Sequence, residues 1–258
     1  MTGMTILYDT QSLLERYLTK LIRNPTLFGT NLVTPVIFLV LFSQLLTKFG
    51  EFIPNAPGGY LAYLTPGVII LNAMISAPLG GVSLANDLNS GFLSKMLLTQ
   101  VRRPAILLGR LATDMLMAVA QSIITIVVAV LMGVQFSSGL PGILLILVTV
   151  AFFEFALSGI FLTVGIRTQK TETISALSGV LFFPLIFISS AMFPISFFPS
   201  WAQTFSNYNP VSYASDVTRD LVVGGLTFNS LASAYVLIGT IAVLTFAATL
   251  FQFRKVVS

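Results

Sequence analysis

The chain has 258 residues, of which 55% are hydrophobic and only 9% are charged, whereas a soluble domain carries about 25% charged residues. So few charges cannot solvate a soluble surface, which predicts an all-α integral membrane protein. The sequence has no Cys and no His, which excludes disulfides, thiolate nucleophiles, Ser-His-Asp triads and most zinc chemistry. Its net charge of +4 does not indicate nucleic-acid binding, because charge in a membrane protein depends first on the side of the bilayer.

Residues 1–25 predict an amphipathic helix that lies in the headgroup plane. The apolar face would carry Leu7, Leu14, Leu18 and Leu21, with Tyr17 and Ile22 beside them, and the basic face Arg16, Lys20 and Arg23. Pro25 is expected to end the helix. No cleaved signal peptide is expected, because Asp9 and Glu15 interrupt the apolar run. The alternative is a helix that docks on a partner.

Six apolar runs predict six membrane-spanning helices, since about 20 apolar residues cross the hydrocarbon core. They cover about residues 28–47, 61–85, 111–134, 140–166, 173–193 and 231–253. Pro35, Pro66 and Pro78 lie inside them, which a membrane helix tolerates when neighbouring helices satisfy the freed carbonyls. The whole chain, 1–258, is therefore interpreted as a single transmembrane domain.

The distribution of basic residues predicts the orientation. With both termini inside, only Lys48 and Arg219 of the 13 Lys and Arg residues fall outside. This asymmetry follows the positive-inside rule. We therefore expect a multi-pass protein of the cell (plasma) membrane with both termini, and the loop of residues 87–110, in the cytoplasm.

The loop of residues 87–110 is a polar, basic interruption between two apolar runs. It contains Lys95, Arg102, Arg103 and Arg110. The sequence Asn89-Ser90-Gly91 is typical of a turn. Phe92, Leu93, Met96 and Leu97 recur at helical spacing and predict a short amphipathic helix over about 88–98. The local pattern is equally compatible with a surface that binds something and with a loop that only fixes topology.

Residues 194–230 form a long and fairly apolar segment on the predicted outer side. Phe197, Phe198, Trp201 and Phe205 cluster in its first half. Asn209-Pro210 begins a second piece, and Gly224-Gly225 ends it. The pattern predicts two short re-entrant helices before the last span, of the kind found where backbone is buried in protein. The alternative is a pair of surface helices lying flat.

This segment resembles the C-terminal hallmark of ABC type-2 permeases of the daunorubicin-resistance type, the membrane subunits of ATP-driven exporters. The residues that match are Pro199, Trp201, Asn209, Pro210, Tyr213, Arg219, Leu221, Gly224 and Gly225. The loop of residues 87–110 resembles the coupling region of that family, and its matches are Ser90, Gly91, Leu93, Leu97, Gly109 and Arg110. Two residues depart from the family pattern, Asn89 in place of Glu and Gln100 in place of Pro.

The resemblance implies a homodimer that carries two copies of a cytoplasmic ATPase, which would hold ATP and Mg. This chain has no Gly-Lys pair and hence no phosphate loop of its own, so we expect a transport subunit and not an enzyme. The implied contacts with the ATPase are Asn89, Ser90, Gly91, Phe92, Leu93, Lys95, Met96 and Leu97. Phe92→Asp is then expected to abolish transport while the protein stays folded. A hydrophobic or amphipathic cargo (drug, lipid or lipid-linked glycan) would enter between the first and fifth spans at the dimer interface.

Two acids lie inside predicted spans, Glu154 near the middle of the fourth and Asp114 in the third. A charge at the membrane centre costs about 3 kcal/mol on insertion scales. Arg110 precedes Asp114 by one helical turn and is its expected partner, as Arg219 is for Asp216. Glu154 is open to two interpretations, a place on a substrate or proton path, or a structural hydrogen bond. The first supports the alternative function, an ion-coupled secondary transporter. An intramembrane hydrolase is set aside because the chain has no His.

Overall fold

The computed structural model describes residues 2–23, 25–52, 59–98, 103–223 and 228–257. These residues form α-helices and short 3-10 turns, with no strand in the described ranges. The helices are α1 (Thr2–Ile22), α2 (Pro25–Leu45), α3 (Gly59–Asn89), α4 (Phe92–Leu97), α5 (Arg103–Leu131), α6 (Gly139–Thr168), α7 (Thr171–Phe187), α8 (Ser200–Ser206), α9 (Pro210–Val223) and α10 (Phe228–Val257). The 3-10 turns are Thr47–Phe52 and Ile195–Phe197.

Four helices of the described chain are long and apolar enough to cross a membrane. They lie in α3, α5, α6 and α10. Two shorter apolar helices accompany them, Val33–Leu45 within α2 and Thr171–Phe187. The expectation of an all-α, multi-pass protein is confirmed, and the six-span order stays a prediction.

The central helix of the bundle is α3, which packs against α2, α5, α6, α7 and α9. Its contact with α6 is close because glycines face backbone there. A Cβ on Gly81 would collide with the carbonyl oxygen of Phe161, and one on Gly165 would lie 2.7 Å from the carbonyl oxygen of Gly81. Small residues let membrane helices approach in this way. The α6–α10 contact is similar, with Gly159 against Thr245.

The structure shortens the predicted loop of residues 87–110 from both sides. Helix α3 continues to Asn89, and Gly91 then makes the turn with a φ of 68°, which glycine adopts without strain. Helix α4 begins at Phe92, so the predicted start at residue 88 is wrong. Because α5 begins at Arg103, Arg110 is helical. Residues 99–102, with Gln100 and Arg102, lie outside the described residues.

Two other boundaries differ from the prediction. Pro25 was expected to end the first helix, but α1 ends at Ile22 and Pro25 begins α2. Proline suits the first position of a helix, where its missing N–H has no helical acceptor. Helix α7 ends at Phe187, and the predicted helical run to residue 193 is wrong. The chain after α7 instead contacts α3 and α9.

Candidate functional site

The short helix α4 is fastened to the bundle by one of its faces. Leu93 and Met96 are buried in a cluster that also includes Leu84 of α3 and Tyr17 of α1, and Phe92 packs against that cluster. The predicted alternation of apolar and basic residues in α4 therefore separates an inward face from an outward face. This region, formed by α4 and the residues that bury its inner face, is called the α4 cluster below.

Helix α1 adds a charged contact to the inner face of α4. The Arg16 guanidinium lies 3.5 Å from the centroid of the Phe92 ring, and its Nη1 donates to the Met96 sulfur at 3.5 Å. Cation–π contacts of this kind stabilise by about 0.5–2 kcal/mol. Phe92, which we expected to contact a partner, thus has a structural role first, and Phe92→Asp is expected to disturb the α1–α4 contact as well.

The outward face of α4 carries exposed side chains, among them Ser90, Lys95 and Leu98. Leu98 follows the last turn of α4 and is 89% exposed. Leu98 was not among the predicted contacts with the ATPase, although it ends the short helix predicted over about 88–98. Asn89 is also exposed, and its Nδ2 donates to the carbonyl of Gln169 at 2.8 Å. The side chain of Leu97 lies outside the described set.

Helix α1 packs against α5 through Tyr17, which was predicted on the apolar face, and Leu13, which was not. The side chains of Leu7, Lys20, Leu21 and Ile22 lie outside the described residues, and the position of α1 in the headgroup plane stays a prediction. Leu13 and Tyr17 are buried, while Leu14 and Leu18 are half-buried. The reason is Gly109 of α5, because a Cβ there would lie 2.9 Å from the Leu13 Cβ. This close approach turns the Leu13 side of α1 toward α5. Gly109, which matches the family pattern, therefore lies where α5 contacts α1.

The Tyr17 ring lies between two guanidinium groups. Arg16 is 5.5 Å and Arg110 is 5.3 Å from its centroid. Burial, together with the field of Asp87, raises the pKa of Tyr17 from 10.0 to about 12, and the two arginines oppose that shift. The neutral phenol is thus the form that the folded protein favours.

The expected pair of Arg110 and Asp114 is present and buried. Arg110 Nη2 donates to Asp114 Oδ1 at 2.8 Å, and Ser158 of α6 donates to Asp114 Oδ2 at 2.8 Å. Gly80 of α3 lies against the same carboxylate, because a Cβ there would collide with Asp114 Oδ2. Three helices therefore meet around one satisfied carboxylate.

Glu154 lies in the same three-helix core and is fully buried. Ser76 Oγ of α3 lies 2.9 Å from Glu154 Oε2. One turn away on α3, Asn72 Nδ2 donates to Ser122 at 3.1 Å and to Thr125 at 3.2 Å. The two intramembrane acids therefore belong to one buried polar region.

The second predicted motif, in α8 and α9, is organised around the chain that follows α7. Asn209 Nδ2 donates to the carbonyls of Leu185 and Ile188 at 2.8 and 2.7 Å, which the end of α7 leaves without helical partners. Its Oδ1 accepts from the Val211 N–H at 2.9 Å and so caps α9. Pro210 is the first residue of α9. The Asn-Pro of the motif thus joins two helix ends.

Arg219 of α9 completes this contact. Its Nη1 donates to Asp216 at 2.6 Å, as expected, and its Nη2 donates to the Ser190 carbonyl at 2.7 Å. The guanidinium lies 3.9 Å from the centroid of the Tyr63 ring, and the Tyr63 hydroxyl donates to the same Ser190 carbonyl at 2.9 Å. We call Tyr63, Ser190, Asn209, Asp216 and Arg219 the α9 cluster. Tyr63 and Ser190 were not predicted, since no local pattern marks them.

The other motif residues of this segment are more exposed. Trp201 is 59% exposed and its ring meets Phe205 edge to face, with centroids 6.5 Å apart. Pro199 caps α8, and Tyr213 is half-buried. Gly224 and Gly225 lie outside the described residues. The two predicted short helices exist as α8 and α9, and their re-entrant course stays a prediction.

Comparison with known proteins covers segments of both motifs. A family model described as ABC-2 type transporter matches residues 8–223. The daunorubicin resistance ABC transporter permease protein DrrB1 of Streptomyces coeruleorubidus is 28% identical over 194 residues, which cover 75% of this chain and 68% of that protein. The probable doxorubicin resistance ABC transporter permease protein DrrC of Mycobacterium tuberculosis is 25% identical over 222 residues, covering 85% and 79%.

A third relative, the putative transport permease ycf38 of Cyanophora paradoxa, is 27% identical over 213 residues, covering 81% of this chain and 72% of that protein. The family match includes α4, α9 and the helices between them. The chain therefore belongs to the ABC-2 type transporter family and resembles its drug-resistance permease subunits.

Proposed function

We propose that this chain is the permease subunit of an exporter that moves a hydrophobic or amphipathic substrate out of the cytoplasm. ATP hydrolysis on a separate ABC ATPase subunit drives the transport, and that subunit holds ATP and Mg. The observation that carries the proposal is the two-sided character of α4, which is fastened to the bundle on one face and exposes Lys95 and Leu98 on the other.

The outward face of α4 is the docking surface for the ATPase. Leu98 offers an apolar anchor at 89% exposure, and Lys95 offers a charge that orients the contact. Buried apolar anchors ringed by polar groups are where binding energy concentrates in protein interfaces. Permeases of this family work with an ABC ATPase partner, and the family resemblance implies two copies of it on a homodimer. The distribution of basic residues predicts that both termini lie in the cytoplasm.

Motion of α4 would reach the membrane helices through its inner face. Leu93 is fully buried against the cluster that joins α1, α3 and α5. Packed cores are rigid and transmit displacement. A shift of α4 on the ATPase is therefore passed to α3 directly through the Gly91 turn, and to α5 through α1.

The substrate would enter beside α2 and α7, the first and fifth predicted spans. An apolar groove of about 320 Å³ lies between these helices and α3. Its lining includes Phe38, Leu71, Phe182, Phe183 and Met192. Aromatic and aliphatic walls suit a hydrophobic or amphipathic molecule. Drug, lipid and lipid-linked glycan are the classes that fit, and two relatives are named as daunorubicin and doxorubicin resistance permeases.

The test is gentle purification of the tagged chain from its native membrane, with every co-purifying chain identified by mass. We expect an ATPase with a phosphate loop in equal amount. Lys95→Glu combined with Leu98→Asp should lower its recovery more than about tenfold, as loss of an interface anchor does. Lys170→Glu is the control, because Lys170 is also exposed and lies in the α6–α7 connection.

Either of two results would contradict the proposal. One is that the chain purifies alone even after mild crosslinking. The other is that the doubly substituted chain retains the ATPase as well as the control does. In the first case, transport that survives ATP depletion while the proton gradient is held would support the ion-coupled alternative.

A further inference from the structure

Glu154 has fewer hydrogen-bond donors than an ionised carboxylate needs. It is fully buried at the contact between α6 and α3. Ser76 is the neighbour at its Oε2, and within the described part of the chain its Oε1 has no partner. A buried carboxylate is stable in the ionised form only when donors or a cation compensate the lost water.

The hydroxyl of Ser76 has one hydrogen and three acceptors that compete for it. Ser76 Oγ lies 3.0 Å from the carbonyl oxygen of Asn72, the usual acceptor one turn back in a helix, 3.3 Å from that of Ala73, and 2.9 Å from Glu154 Oε2. A serine hydroxyl can donate once and accept twice. If it donates to Asn72, the short contact with Glu154 requires the hydrogen to come from the glutamic acid.

Asp114 of the same core is better compensated than Glu154. Its two oxygens receive one donor each, the Arg110 guanidinium and the Ser158 hydroxyl, both at 2.8 Å. Two acids whose surroundings differ in this way take different protonation states. Asp114 is paired with the Arg110 cation, whereas Glu154 has no cationic partner among the described residues.

The groups that face Glu154 from the neighbouring helices do not supply the donor or cation that an ionised Glu154 would need. Asp114 and Arg110 of α5 are the charged groups whose fields reach it. On α3 the next acid, Asp87, is 11 residues beyond Ser76, about 16 Å along the helix. Tyr235 of α10 bonds to Thr149. Asp216 and Arg219 of α9 pair with each other, and Glu172 of α7 is exposed.

We propose that Glu154 is a proton-binding site at the α3–α6 contact. In this conformation the acid is protonated, Oε2–H donates to Ser76 Oγ, and Ser76 donates to the Asn72 carbonyl. When water reaches the contact as α3 and α6 separate, the proton passes to that water and the carboxylate forms. Proton binding and closure of this contact are therefore linked, so that a rise in pH favours the open state.

The site can be tested without any transport measurement. The full chain in lipid nanodiscs is examined by infrared spectroscopy at neutral pH, where a protonated carboxyl has a C=O band distinct from that of a carboxylate. We expect such a band, and we expect carbon-13 labelling of the glutamate carboxyls to shift it. The sequence's other glutamates, Glu15, Glu51 and Glu172, are exposed, so the shift assigns the band to Glu154 in the unsubstituted protein.

Two substitutions add to this measurement. Glu154→Gln keeps the shape of the neutral acid and should remove the band, while Glu172→Gln, at an exposed position, should leave it. Absence of a protonated carboxyl band, or a band that glutamate labelling does not shift, would overturn the proposal. Raising the pH should open the α3–α6 contact in the unsubstituted chain but not in Glu154→Gln, measured as hydrogen exchange of the backbone around Ser76. Equal pH dependence in both chains would overturn the link to closure.

Discussion

Two arginine–aspartate pairs lie near opposite ends of α3, and they differ in their surroundings. The Arg110–Asp114 pair is buried between helices, with side chains 8% and 4% exposed, whereas the Arg219–Asp216 pair is 16% and 48% exposed. Both pairs are local to one helix. Among the described residues, the guanidinium of the second pair donates to a backbone carbonyl outside its own helix, that of Ser190, and that of the first pair does not.

The surroundings of the two pairs indicate what each motif does. In the α9 cluster the side chains donate to backbone carbonyls at and after the end of α7, which fastens that part of the chain to α9. In the α4 cluster, Arg16 of α1 and the buried apolar side chains around Leu93 anchor a helix whose other face is left exposed. We therefore expect substitutions in the α9 cluster to act on stability, and substitutions on the outer face of α4 to act on association.

The largest expected effect comes from filling the space beside the buried pair. Gly80→Ala places a methyl group against Asp114 and Ser158, and should lower the free energy of unfolding by about 3 kcal/mol, as overpacking that disturbs a buried ion pair does. Thermal or denaturant unfolding in detergent measures it. Gly179→Ala is the matched control, since its Cβ meets no atom within 4 Å. Equal stability of the two variants would contradict the packing described around Asp114.

The more exposed pair, Arg219 and Asp216, should contribute less to the free energy of unfolding. Arg219→Ala removes two charged hydrogen bonds and the contact with the Tyr63 ring, and should lower the free energy of unfolding by about 2 kcal/mol. Arg23→Ala, at an exposed position, is the control and should stay within about 0.5 kcal/mol of the unsubstituted protein. A similar small change for both would show that the α9 cluster does not stabilise the fold.

The two faces of α4 should separate stability from association. Phe92→Ala should lower the free energy of unfolding by about 1–2 kcal/mol, because it removes a packed ring and its cation–π contact. Leu98→Ala should change it by less than about 0.5 kcal/mol, because the side chain is exposed, yet weaken recovery of the ATPase. Unfolding and co-purification are measured on the same preparations. A stable Phe92→Ala chain would argue against the anchoring role of the inner face.

The smallest effect at neutral pH belongs to Tyr17. Its pKa is raised in the folded protein from 10.0 to about 12, so the folded state binds the phenolic proton more tightly than the unfolded state. The contribution of this proton to the free energy of unfolding is fully present below pH 10. It is lost as the pH rises through the folded-state pKa of about 12, by about 1.4 kcal/mol for each unit between the two pKa values. Tyr17→Phe should show a smaller loss over the same range in pH-dependent unfolding. Parallel curves would contradict the burial of the phenol.

Much of this architecture follows from local pattern. Long apolar runs predict α3, α5, α6 and α10, because a helix is the simplest way to satisfy the backbone in lipid. Both arginine–aspartate pairs were predictable from a spacing of three or four residues. The short amphipathic helix in the loop was predictable from its periodicity, although its first residue was not.

Features that depend on contacts between distant parts of the chain could not be predicted from the sequence and follow from the tertiary structure. The hydrogen bond between Tyr63 and Ser190 joins residues that are 127 positions apart in the sequence, and the one between Ser76 and Glu154 joins residues 78 positions apart. No periodicity in either segment predicts such a contact. The rotation of α1 toward Leu13 is of the same kind, because it depends on the missing side chain of Gly109 in another helix. The apolar pattern of the sequence is enough to predict which segments become helices, because a backbone in lipid must satisfy its hydrogen bonds within the segment. The close approach of those helices determined which polar groups are satisfied and which face of α4 stays exposed.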